Sequence, residues 1–242
     1  MWQELRNELA PKGVEIVTVG IDTAGAEACR PFIDAAKPEH PSLVDVGHVV
    51  AERFGVINIP NGLWIDETGT IVRPAEPAFP GRPTARPAGD MGEIPDRMLA
   101  IFGEAMKIEA DPDGYAAAIR DWADKGAASK HVLPPDEVVA RSGPRGVEES
   151  EAAAHFALAQ YLWRAGNQRR AETHFRAAHH LHPTNFSYKR QAWSLATPDM
   201  GAFERYWQGP VPGREHEWPY ESDWLTEVKA MGAANYYPKV TL

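Results

Sequence analysis

The stretch INIPNGLWIDETGTIV, residues 57–72, decides how this chain is read. Gly62-Leu63-Trp64-Ile65-Asp66 is apolar and rich in residues that fit a pleated surface, so it predicts a β-strand. Glu67-Thr68-Gly69 supplies a tight turn, and Thr70-Ile71-Val72 resumes strand composition, which predicts a hairpin. Immediately upstream stands Asn58-Ile59-Pro60. An X-Pro bond is the one peptide linkage whose cis form lies within about 0.5–1 kcal/mol of trans.

Working outward toward the N-terminus, Trp2, Leu5 and Leu9 recur at helical spacing, and Pro11-Lys12-Gly13 ends that helix. Val14 to Ile21 is β-branched and almost wholly apolar, which predicts a strand buried on both faces. Asp22-Thr23 is placed to cap a helix over about 24–36. Residues 41–45 read as a short strand and residues 46–54 as a helix ending near Gly55. Strands and helices that alternate and then close in a hairpin predict a mixed α/β sheet.

Working outward toward the C-terminus, residues 74–95 carry six prolines (74, 77, 80, 83, 87 and 95) with Gly81, Gly89 and Gly92. This composition sustains neither a helix nor a central strand and predicts a loop or linker, made locally basic by Arg73, Arg82 and Arg86. Residues 96–147 predict helices (Met98 to Phe102, Tyr115 to Trp122) followed by a second Pro/Gly-rich connector over 126–147. Residues 148–182 predict two helices, 186–196 a third, and 209–242 an aromatic-rich tail.

A net charge of −9 disfavours binding to nucleic acid or to an anionic membrane surface. No apolar run approaches the roughly 18 residues that span a bilayer, and the N-terminus shows no secretory pattern, so the expected location is cytoplasmic. With one cysteine, Cys29, the chain holds neither an internal disulfide nor a cysteine-based zinc site. No phosphate loop, nucleophile elbow or His-Glu-x-x-His motif occurs, and no cofactor is expected. His179, His180 and His182 lack the i, i+4 spacing of two ligands on one helical face, and His174 and His179 are five apart. No metal site is expected; the histidines read as helix-end residues near terminal carbonyls.

Four segments in order give residues 1–73 a family likeness: WQELRNEL, KGVEIVTVGID, HPSLVDVGHVVAERFGV and INIPNGLWIDETGTIV. Together they resemble the TlpA/ResA (redoxin) branch of the thioredoxin-like superfamily. The resemblance implies a cis Ile59-Pro60 bond, with Asn58, Ile59 and Pro60 as a substrate-docking loop that pairs with an extended segment by strand-like hydrogen bonds. It also implies what is missing. In that family a first, central strand ends in Trp-x-x-x-Cys-x-x-Cys, and the helix starting at those cysteines continues into the equivalent of WQELRNEL. Here the strand, the motif and the helix N-terminus that would activate the thiol are expected upstream of Met1, with a cysteine or selenocysteine as nucleophile.

Residues 152–185 resemble a single tetratricopeptide repeat through Leu158-Ala159, Leu162, Gly166, Ala171, Phe175, Ala178 and Pro183. In that likeness small residues let two helices approach, Gly166 permits their turn, and 186–196 serves as a cap. The helical hairpin reads either as a peptide-binding unit or as plain packing. Cys29, in Ala26-Glu27-Ala28-Cys29-Arg30-Pro31, reads either as a secondary thiol, its pKa lowered by Arg30, or as a small buried residue.

The expected fold class is therefore α/β. A thioredoxin-like mixed sheet (1–73), lacking its first strand and redox motif, is followed by a linker (74–95), helices and a connector (96–147), a TPR-like hairpin with its cap (148–208) and a tail (209–242). The resemblance implies a thiol- or selenol-disulfide oxidoreductase, redox-inactive in residues 1–242 alone. Its substrate would be a disulfide-bearing protein, a small thiol or a peroxide. The other reading is a non-catalytic peptide- or protein-binding module that uses the hairpin.

Overall fold

The computed structural model describes residues 1–81 and 94–242, with the backbone alone for Ala202. The protein is mixed α/β. Its elements run α1 (Trp2–Leu9), β1 (Thr18–Ile21), α2 (Ala26–Ala36), β2 (Ser42–Asp45), α3 (Val49–Phe54), β3 (Asn61–Ile65) and β4 (Ile71–Pro77). There follow α4 (Asp96–Ala105), α5 (Pro112–Lys125), α6 (Pro135–Ser142), α7 (Val147–Arg164), α8 (Gln168–Leu181), α9 (Phe186–Ala196), α10 (Glu204–Trp207) and α11 (Trp224–Met231). Among the described residues two units result: residues 1–81, 111–146 and 240–242 form a sheet-bearing unit, and 94–110 with 147–239 form a helical one. The segment 96–147 thus divides, α4 going to the helical unit and α5 with α6 to the other.

In the sheet-bearing unit the core comprises Leu5 and Leu9 of α1, Ile16, Trp64, Val72, Ala78, and Tyr115, Ala118 and Ile119 of α5. The i, i+4 spacing of Leu5 and Leu9 puts both on one helical face. Asp111 starts α5 by accepting the Gly114 N–H at 2.8 Å, and Pro112 occupies the first turn, where its missing N–H is harmless.

The strands form two separate pairs. β1 and β2 are parallel, with Val19 opposite Leu43 and Gly20 opposite Val44. β3 and β4 are antiparallel, with Trp64 opposite Arg73. Among the described residues no strand joins the pairs, so β1 and β3 each have one unpaired edge. The hairpin turn is set by Asp66, whose carboxylate accepts the N–H groups of Thr68 and Thr70 (both 2.9 Å) and the Thr68 hydroxyl (2.6 Å). These bonds, led by the Thr68 hydroxyl, hold the Asp66 carboxyl below its usual pKa.

Several expected boundaries shift, for physical reasons. The strand expected over Val14–Ile21 shortens to β1, and none of its residues is fully buried. Val17 and Leu43 are each 53% exposed. A parallel strand is buried on both faces only when it has neighbours on both sides, and β1 has one. Helix α2 starts at Gly25 rather than on an Asp22-Thr23 cap; Asp22 instead accepts the Ala24 N–H in the preceding turn, at 2.8 Å. The hairpin's second strand continues through Pro74 to Pro77, beyond the expected end at Val72. Proline lacks a ladder donor but is tolerated on an edge strand, and β4 is one. Within the connector expected over 126–147, residues 135–142 form α6, with Pro135 at its first position. Most of the expected 74–95 linker, with Arg82 and Arg86, lies outside the described residues.

In the helical unit, α7 and α8 form an antiparallel hairpin in which Ala159, Leu162, Ala171, Phe175 and Ala178 are buried. Gly166 takes φ +78° at its turn, a conformation in which any side chain would be strained. Helix α9 follows, with Asn185 accepting the Tyr188 N–H at 3.1 Å. Tyr188 then stacks on Phe156 at 4.1 Å between ring centroids. The aromatic-rich tail contributes to the core. Tyr220, Trp224 and Tyr236 join Trp193, Trp207, and Met98 and Ile101 of α4 in one core.

Candidate functional site

The loop expected to dock substrate leads straight into β3. The Ile59–Pro60 peptide bond is cis. Asn58 is buried, and Ile59 is partly exposed. The Asn58 side-chain oxygen accepts the Ile59 N–H at 2.9 Å, and the Pro60 carbonyl accepts the Ala78 N–H at 3.3 Å. A segment pairing with Ile59 through its N–H would therefore have to displace the Asn58 amide oxygen.

Beneath β3 lies a cluster that no sequence pattern pointed to. Trp64 donates its indole N–H to the Tyr115 hydroxyl (3.2 Å) and stacks on Trp122 at 5.1 Å. The Arg73 guanidinium lies 5.4 Å from the Trp64 ring centroid. Arg73 is itself buried, and a buried charge needs partners. It has them: both Nε and Nη2 donate to Glu76 (2.9 and 2.7 Å), and the carbonyls of His131 and Thr241 accept at 2.9 and 3.1 Å. With all its partners inside the protein, this arginine braces β4 and is not a free substrate-binding cation. The burial of Tyr115 raises its hydroxyl pKa, so it serves as a neutral hydrogen-bonding group.

Cys29 is buried on α2 against Gly20 of β1. Burial first, and then the nearby Asp22 charge, raises its thiol pKa. The expected lowering by Arg30 is not found, because Arg30 turns to Glu27 at 3.2 Å. Cys29 therefore lacks the thiolate character a nucleophile needs. Iodoacetamide at neutral pH is expected to alkylate Cys29 in the folded chain at least tenfold more slowly than in urea. Equal rates would make it an accessible thiol.

The histidines also differ from expectation. His179 is not at the terminal carbonyls; it is buried, with Tyr220 and Trp193 ring centroids 5.2 and 6.1 Å away. His180 lies 3.9 Å from Glu221. A cross-helix pair, His155 and His174, was hidden by its separation in sequence. No family model, curated protein or solved structure matches this chain. Among the described residues no helix is long and apolar enough to cross a membrane.

Proposed function

We propose that residues 1–77 are the larger part of a TlpA/ResA-type thioredoxin-like sheet. Its central strand, and the helix start that carries a thiol or selenol nucleophile, would come from a segment upstream of Met1. The observation that carries this reading is the interrupted sheet. Among the described residues β1 and β3 are each paired on one side only, and Val17, just before β1, and Leu43 of β2 are left half in solvent. Unpaired strand edges and a bare face on a parallel pair are costly unless another element covers them. One strand bonded to β1 on one side and β3 on the other would satisfy both edges, and its outgoing helix would run into α1.

In the completed protein the nucleophile attacks a substrate disulfide. A mixed disulfide forms, one substrate thiolate leaves and takes up a proton, and a second thiol releases the other half. Ile59 and Pro60 would lie beside the reacting sulfur and hold the substrate in an extended form. The substrate class is a disulfide-bearing protein, a small thiol or a peroxide. Residues 1–242 alone, with the buried Cys29 as their one thiol, are not expected to catalyse this exchange.

The test is to translate the reading frame upstream of Met1, with cysteine inserted at any UGA codon, and to assay insulin disulfide reduction by dithiothreitol. The extended chain is expected to exceed residues 1–242 by more than tenfold, and replacing the new cysteine by serine should remove the gain. An extended chain no faster than residues 1–242 defeats the enzyme reading. The other reading, a non-catalytic protein-binding module, is favoured by Leu158 and Tyr161, which α7 holds 42% and 64% exposed.

A further inference from the structure

Helix α7 is apolar on two opposite sides. Ala152, Phe156 and Ala159 share the side that is buried in the helical unit. At 3.6 residues per turn, Val147, Ala154, Leu158 and Tyr161 fall within about 60° of one another on the other side. That side faces solvent: Val147 is 84% exposed, Leu158 42% and Tyr161 64%, and Ala154 and Ala157 are exposed as well. A surface helix ordinarily has one apolar side, turned to its own core, and a second one calls for cover. From this face we infer that α7 docks on α7 of a second copy of this chain, antiparallel, in a two-fold symmetric dimer.

Charge and shape choose the occupant, because the face is complementary to itself. Glu148, Glu149 and Glu151 lie toward the N-terminal end of α7; Arg164 closes its C-terminal end, where Arg169 and Arg170 begin α8. Between these ends the small residues, Ala154 and Ala157, come before the large ones, Leu158 and Tyr161. An antiparallel pair about a two-fold axis between Ala157 and Leu158 sets Glu151 against Arg164, Ala154 against Tyr161 and Ala157 against Leu158, each pairing made twice. Opposite charges meet, and each large side chain meets a small one, as close helix packing requires. A parallel pair would set Glu151 against Glu151 and Tyr161 against Tyr161. A foreign partner would not require a face that matches its own reverse.

Two terms limit the strength of the dimer. Each chain carries a net charge of −9, so two copies repel at a distance and the local pattern has to overcome that repulsion. An α7 of 18 residues is about 27 Å long, and one helix pair of that length buries less than a standard stable interface. The dimer is therefore weak, micromolar rather than nanomolar. It deepens the protein-binding reading of this hairpin, on which it rests, by naming the partner of Leu158 and Tyr161. It uses nothing of the redox reading, so the insulin assay and the experiment below fail or succeed separately.

The experiment is analytical ultracentrifugation of the full chain, from low to several hundred micromolar. The expected result is a monomer–dimer equilibrium with no larger species. Leu158→Glu and Tyr161→Glu, both at exposed positions, should keep their helix content by circular dichroism and weaken the dimer at least tenfold. Glu151→Arg alone and Arg164→Glu alone each set like charges together twice and should weaken it several-fold. Mixed in equal amounts, these two charge variants should form a heterodimer of close to the unaltered affinity, since every opposed pair is again of opposite charge. An unaltered chain that stays monomeric at the highest concentration overturns the inference, needs no variant to do so, and leaves the face to a different protein. A dimer indifferent to Tyr161→Glu, or charge variants that gain nothing on mixing, overturns it too.

Discussion

Phe156→Ala is expected to destabilise the helical unit by about 3–5 kcal/mol, the range for truncating a fully buried phenylalanine. Three features place it in the upper part of that range. The ring is 1% exposed, it stacks on Tyr188 at 4.1 Å and 17°, and it meets Phe175 edge to face. Such ring pairs add about 0.5–1.5 kcal/mol beyond the area they bury. The void would open where α7, α8 and α9 meet, and helices held by one another close around it only partly. Against a typical domain stability of about 5–15 kcal/mol, the loss leaves the unit close to unfolding. Urea unfolding followed by tryptophan fluorescence measures it, since Trp193, Trp207 and Trp224 are all buried in this unit. A loss under about 1 kcal/mol would mean that the three helices do not share this core.

The second large effect is on acid stability. Burial, assisted by Lys189, lowers the His179 pKa from 6.5 to about 3. The sign follows from the depressed value. Below pH 6.5 the unfolded chain takes up a proton that the folded chain refuses until about pH 3, so stability is lost as pH falls through that window. At 1.36 kcal/mol per pH unit, His179 is expected to cost the helical unit about 2–3 kcal/mol between pH 7.5 and 4.5. His179→Phe removes the titrating group, so whatever its stability at neutral pH, the variant should show a flatter stability profile over this range. A profile as steep as that of the unaltered chain would assign the acid sensitivity to other groups. Lys189, whose charge acts on His179, is itself buried and pairs with Glu227 at 2.9 Å.

Local chemistry made some of this legible in the sequence. The Asp66 turn, Gly166 and the limits of α9 rest on residues whose preferences act within a few positions, and all three were readable. What failed was whatever depended on neighbours distant in sequence. Residues 14–17 have strand composition, but β1 starts only at Thr18, because a strand without a second partner gains little from more length. Pro74 and Pro77 read as breakers, yet on an edge strand their missing donors cost nothing. Buried Arg73 is marked by no local pattern; it is tolerated through carbonyls 58 and 168 positions away. The histidine pair was hidden for the same reason: helical spacing shows which residues share a face of one helix, not which faces two helices turn to each other.

We propose that one strand is missing between β1 and β3. Amide hydrogen exchange, measured residue by residue in residues 1–242 and in the upstream-extended chain, tests it most directly. The β1 and β3 amides that are not bonded to β2 or β4 are expected to exchange almost freely in the shorter protein. In the longer one they should slow at least a hundredfold, on both strands together. Equal protection of those amides in the two proteins, or a gain on one strand alone, would contradict it.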